Sequence, residues 1–278
     1  MTPRNILLAT AIAVAALAAP APAAEAFGSS APGTAEYYSP EDAAAFSKAI
    51  EKELAAKSAR VAIVFRSGRT RDALPDGVRY THGSFWVYQP IDTPEGRING
   101  YVSHNLFHGD GGELSKRETY LATDFPFQFV AASVVDDVAI IIPTPEMQRR
   151  ILTFMASPDY EAMNKGQYSL IANPHDPLFQ NCNEFMLDVV AAVAWETTDY
   201  LQIKSNLKAY YEPTEIDAGP LAKIFGPVAD ERLRMNDQRS GIETVTFKSM
   251  GEFMVEYGLA DEAYVFQRPP EARLPGQG

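Results

Sequence analysis

Phe179-Gln180-Asn181-Cys182-Asn183-Glu184-Phe185 holds the single cysteine of a 278-residue chain. The stretch reads as the opening turn of a helix. Asn181 suits the N-cap, because its side-chain oxygen can accept a backbone N–H that the first turn leaves free. Glu184 follows three residues later and can reach back to complete a capping box. Phe185, Met186, Val189, Val190 and Val193 then recur at helical spacing and form one apolar face. Cys182 is thus expected in the first turn of a buried helix, where the partial positive charge favours thiolate over thiol. A lone buried cysteine also serves as a small hydrophobe. On this stretch alone the two readings weigh equally.

A nucleophilic cysteine needs a base within hydrogen-bond reach, and a third polar group to fix the imidazole tautomer. The chain has four histidines. Arg79 to Tyr88 is rich in residues that favour a strand, and Pro90 ends that strand or confines it to an edge. Thr93-Pro94-Glu95-Gly96 is a turn. The next strand runs from about Arg97 to Phe107, with Asn99-Gly100 as a candidate bulge. His82 therefore opens one strand, and His104 and His108 lie on or just after its hairpin partner. Pairing that begins near Gln89 and Ile98 brings His82 close to His104. Pairing that begins at the Thr93 turn brings it closer to His108. A one-residue slip reverses the face. An early strand end at Pro90 favours His104. His175 sits in a Pro-flanked loop and is read as incidental. A second use of these residues is a zinc site of His104, His108, Asp110 and His82. It ranks lower, because the i, i+4 spacing suits a helix and the segment reads as a strand.

The first two dozen residues read as a secretory signal peptide. Arg4 is a short basic start, Ile6 to Leu17 is apolar but too short to span a bilayer comfortably, and small-x-small cleavage sites follow. The expected organisation is a signal peptide over 1–24, a linker over 25–38, a single domain over 39–268 with a C-terminal extension from about 196, and a disordered tail over 269–278. The formal net charge of -12 argues against nucleic acid and anionic membrane surfaces as partners. No later segment is apolar enough for membrane insertion. One cysteine leaves no internal disulfide, so a core drawn from 46 % hydrophobic residues must hold the fold. Val61 to Phe65 and Val138 to Ile142 read as buried strands. Helices are expected after Ser39-Pro40 and Thr144-Pro145, where Ser or Thr caps and Pro takes the first turn.

Asn181-Cys182-Asn183-Glu184-Phe185 resembles the Asn-Cys-x-x-Phe helix start of the circularly permuted papain-like enzymes, which include the lecithin–retinol acyltransferase group and permuted NlpC-type hydrolases. In that order the strand histidine precedes the cysteine helix, as His82 precedes Cys182. The wider pattern, from Val61-Ala62-Ile63-Val64 through Arg79-Tyr80-Thr81-His82 to Tyr168-Ser169-Leu170 and Gln180-Asn181-Cys182-Asn183, also looks like an exported bacterial family of unknown function. The resemblance implies an α+β fold in which an antiparallel sheet carrying the histidine packs on the cysteine helix. It implies Cys182 as nucleophile, His82 as base and His104 as the third residue. It departs from the family in a longer hairpin after His82 and about 80 further residues after the cysteine helix.

The resulting expectation is an exported, periplasmic cysteine hydrolase or acyltransferase. It would act on an amide or ester bond of a cell-envelope substrate, a peptidoglycan peptide or a lipid acyl group, through an acyl-enzyme and with no cofactor. The alternative is a non-catalytic periplasmic binding or envelope protein that keeps the same shell, since a fold does not establish an activity.

Overall fold

A computed structural model describes residues 37–217, 231–239 and 241–273. The expected signal peptide, most of the linker and part of the C-terminal extension lie outside those residues. Val61–Arg66 forms β1, whose residues are all buried. Two antiparallel neighbours flank it: β2, His82–Thr93, and β5, Asp137–Pro143. The sheet grows outward through β3, Gly96–His108, and β4, Thr119–Asp124, on one side. On the other side it ends with β8, Ala260–Gln267. The strand order is β4-β3-β2-β1-β5-β8, with every pairing antiparallel. The other strands, β6 (Thr214–Ile216) and β7 (Ile242–Thr244), make a separate two-stranded ribbon. The architecture is mixed α+β.

Continuous apolar character in β1 follows from burial on both faces. Ile63 and Phe65 share one core cluster with Phe185, Val189 and Met250. Ala62 and Val64 share the opposite cluster with Phe46, Trp86 and Phe129. The helices thus lie on both sides of the sheet. Helix α1, Pro40–Ala56, and helix α2, Pro126–Ala131, cover the second face. The first face takes α3 (Pro145–Met155), α5 (Cys182–Ala194) and α7 (Phe247–Glu256). Short α4, Pro158–Ala162, and α6, Tyr200–Tyr210, flank that layer. Caps are where the sequence puts them: Ser39 accepts from Asp42 N–H, Thr144 from Met147 N–H and Asn181 from Glu184 N–H.

The hairpin of β2 and β3 differs from its expected shape. Pairing starts at Thr93 opposite Gly96 and continues as Ile91↔Ile98, Gln89↔Gly100 and Phe85↔His104, with no bulge at Asn99-Gly100. Pro90 sits inside β2, opposite Asn99. It is tolerated because β1 pairs with β2 only as far as Val87, so on that side the end of β2 is an edge that asks for no N–H. The segment after α5 is also more than an appendage. β8 completes the sheet and α7 lies in the main core. Pro270–Ala272, expected in the tail, is a 3-10 turn in which Arg268 Nε donates to Ala272 O at 3.0 Å and Arg268 Nη2 pairs with buried Asp42 of α1.

Candidate active site

At one end of the sheet β1 stops, β2 begins and β3 stops, and the first turn of α5 lies against them. A cleft of about 290 Å³ opens there, and both Cys182 and His82 line it. Cys182 is the first helical residue of α5, held by the Asn181 cap. Gly83, next to His82, lets the helix come close: a Cβ there would clash with Met186 of α5 and lie 2.8 Å from the Phe65 ring. The glycine is thus fixed by close approach rather than by backbone angle.

Cys182 is 6 % exposed. Burial pushes the thiol up from its usual value. The N–H groups of Gly83, Asn183 and Cys182 itself, with the Arg66 guanidinium, pull the other way and do not overcome it. The depressed thiol expected from the helix start is therefore corrected to a protonated thiol, because desolvation of the charged form exceeds the end-of-helix effect. Its side-chain hydrogen bond goes to Asn183 Oδ1 at 3.7 Å. Among the described residues no hydrogen bond joins the sulfur to His82.

The His82 ring is buried and stacks on Phe107 at 5.1 Å between centroids, with Phe129 at 5.7 Å. Its Nε2 lies 3.0 Å from Asn105 Oδ1. The Asn105 amide nitrogen donates to Ser103 O and Asp124 Oδ2. That leaves the amide oxygen for the imidazole, so Nε2 carries the proton and Nδ1 is the basic nitrogen. Ser103 Oγ donates to Ser84 Oγ at 2.9 Å and extends the network. Burial, and then Arg66, push His82 down to about 3, against the bond from Asn105. The imidazole is neutral at pH 7, and the same burial and the Arg66 charge make it a weak base. Burial raises Asp124 to about 6 while Arg66 lowers it.

His104 is not beside His82. It pairs with Phe85, and its Nε2 lies 3.1 Å from Gln89 Oε1. Neighbouring strand residues face opposite ways, so the register that aims Asn105 at His82 turns His104 toward Tyr160 on the other side. His108 lines the cleft. Its Nδ1 donates to Gly109 O at 2.7 Å and its Nε2 accepts from Arg232 Nη1 at 2.9 Å. His175 lies 3.0 Å from Tyr211 O through Nε2. Among the described residues no group of three or more His, Cys, Asp or Glu is placed to hold a metal ion. Asp110, the acidic member of the zinc alternative, accepts from Gly112 N–H.

Glu184 does not close the capping box. Fully buried, it takes a bond from Lys204 Nζ at 2.6 Å, and Asp188 takes another at 2.7 Å. Tyr200 Oη and Gln180 Nε2 also donate to Asp188. Burial holds the Glu184 carboxyl well above its ordinary range although Lys204 opposes this. The cluster anchors α6 beneath the helix that presents Cys182. Sequence reading missed Asn105 and Lys204. Asn105 differs from its neighbours only by strand parity, and parity required the register.

Residues 53–254 match a family described as an uncharacterized protein conserved in bacteria, DUF2145. No curated protein and no solved structure matches the chain. Among the described residues no helix is long and apolar enough to cross a membrane.

Proposed function

Given that the chain belongs to this bacterial family, we propose that it is an exported thiol hydrolase or acyltransferase with a permuted papain-like arrangement. The observation that carries this reading is the placement of Cys182 and a neutral, asparagine-oriented His82 on one cleft. A cysteine, a histidine and an asparagine are the working set of papain-like proteases. Here the strand histidine precedes the helix cysteine in the chain, as in the permuted order. Asn105 replaces His104 as the third residue.

In the proposed reaction His82 Nδ1 takes the thiol proton as the sulfur attacks an amide or ester carbonyl. The sulfur–carbon bond forms, the leaving amine or alcohol departs with the proton from His82, and an acyl-enzyme remains. Water, or a second acceptor, then attacks the thioester with the same imidazole as base. Backbone N–H groups at the start of α5 are the donors for the oxyanion. Because thiol and imidazole are both neutral at rest, proton transfer accompanies attack instead of preceding it as a standing ion pair. The cleft lies at the low end of ligand-pocket sizes, so the substrate is small, or only its end enters. An envelope peptide amide fits better than a long lipid acyl chain.

p-Nitrophenyl acetate tests the reading. A stoichiometric burst of p-nitrophenolate with an acetyl group on Cys182, lost in His82→Ala, is the expected result. An unmodified sulfur with no burst would leave a non-catalytic envelope protein, the second reading, which the missing sulfur–imidazole bond favours. Export rests on Arg4, Ile6 to Leu17 and the small residues after them. N-terminal sequencing from the native host should find a start between Ala24 and Phe27.

A further inference from the structure

The chain carries 36 acidic against 24 basic residues, yet the described lining of the Cys182 cleft reverses that balance. Three arginines, Arg66, Arg69 and Arg232, line it and no aspartate or glutamate does. Arg66 is 5 % exposed and its Nη1 donates to Ala132 O at 3.0 Å, while its buried Nε has no partner. Burial lowers its pKa to about 10, so it stays charged at neutral pH. The Arg69 side chain is exposed and makes no hydrogen bond or ion pair among the described residues. Arg232 reaches in beside His108. The facing wall is apolar, with Leu74, Val78, Ile171 and Ile216. Arg66 shares its field with Asp124, which lies behind the cleft wall, so Arg69 is the cation the cleft offers an anion most fully, and a low-dielectric wall beside it strengthens that attraction over its value in water. Two of these arginines follow one another closely at the end of β1, and a guanidinium fork matches a carboxylate.

We propose that the acyl substrate carries a carboxylate close to the reacting bond and that Arg69 and Arg66 receive it. This rests on Cys182 as nucleophile and deepens that assignment from an amide or ester to an anionic amide or ester, such as an acidic peptide or one ending in a free carboxylate. The apolar wall takes the remainder of the acyl group. Arg66 also favours the thiolate as it develops, so part of the charge that holds the substrate assists the attack.

Two alkylating agents that differ only in charge separate this inference from its premise. Iodoacetate and iodoacetamide each lose iodide as the Cys182 sulfur–carbon bond forms. The informative quantity is the ratio of their rate constants at pH 7, compared with the same ratio for N-acetylcysteine. The ratio should exceed that of the free thiol by about fivefold or more, and should fall at least about threefold in Arg69→Gln, since the charge that draws the carboxylate is gone. Arg97→Gln, on the exposed hairpin far along β3, should leave the ratio unchanged. A ratio equal to that of the free thiol, or one that ignores Arg69→Gln, overturns the inference while Cys182 remains a nucleophile. No alkylation by either reagent overturns the nucleophile, and the inference with it.

Discussion

His82 Nε2 lies 3.0 Å from Asn105 Oδ1, across two neighbouring antiparallel strands. The bond fixes which ring nitrogen keeps its proton, and it leaves Nδ1 as the unprotonated one. Removing Asn105 should therefore cost orientation rather than the base itself. On the proposed role of His82 as base, Asn105→Ala is expected to slow alkylation of Cys182 by iodoacetamide at pH 7 by about tenfold, and His104→Ala by less than twofold, against about a hundredfold for His82→Ala. An equal loss in the Asn105 and His104 variants would undo the assignment.

Much of this site could be read before any coordinates. The Asn181 cap, the apolar face behind it and the placement of Cys182 in the first turn are local, and local rules reach them. The strand character of Val61 to Phe65 and of the His82 segment was equally plain. Three things were not. The hairpin register depends on a turn and on one proline whose edge position is decided by where β1 stops pairing. One strand step then exchanges His104 for Asn105. The resting charge of Cys182 depends on burial, which competes with the helix end and cannot be weighed from one turn of sequence. Glu184 fitted a capping box, but Lys204, twenty residues later and buried, offered it a full counter-charge, which is worth more than a backbone N–H in a dry interior.

Gly83 offers a packing test of the site. A methyl there meets the Met186 methyl end and the Phe65 ring; the Met186 end can turn aside, but the ring on β1 sits in a close-packed core and resists moving. Gly83→Ala should cost roughly 1–3 kcal/mol, seen as a lower urea midpoint, and should change Cys182 alkylation by severalfold because the sulfur rides on the helix that carries Met186. A variant as stable and as reactive as the parent would mean that the contact is slack.

Buried His82 and half-buried His104 make stability depend on pH in a defined direction. Burial lowers His104 to about 4, so the unfolded chain takes up its proton near 6.5 and the folded chain does not. Stability from this group is complete above pH 6.5 and is lost as pH falls toward 4. Asp124, raised to about 6, contributes in the opposite sense, which makes the total curve a poor readout. The difference between the parent and His104→Gln isolates the histidine. It should shrink by up to roughly 2 kcal/mol between pH 6.5 and 5, since each pH unit is worth about 1.4 kcal/mol per proton. Parallel urea-derived stability curves for the two proteins would rule the effect out.

Lys204 is the counter-charge for two carboxylates of α5, at 2.6 Å from Glu184 and 2.7 Å from Asp188. All three groups are nearly or fully buried, and Glu184 Oε2 has no hydrogen-bond partner. Taking away only the lysine strands negative charge in a medium that solvates it poorly. Lys204→Met is thus expected to lose about 3–5 kcal/mol. Neutralising the acids as well, in Lys204→Met/Glu184→Gln/Asp188→Asn, should restore much of that, because the burial cost disappears with the charges. The cluster also reports on the thiol. Glu184 follows Cys182 by two positions, and removing the Lys204 cation takes positive charge away from beneath that helix start and disfavours thiolate. In a Lys204→Met protein that still folds in mild conditions, alkylation of Cys182 should slow, and the triple variant should bring the rate back. Recovery of stability without recovery of the rate would separate the two effects and confine the cluster to holding α6 against α5.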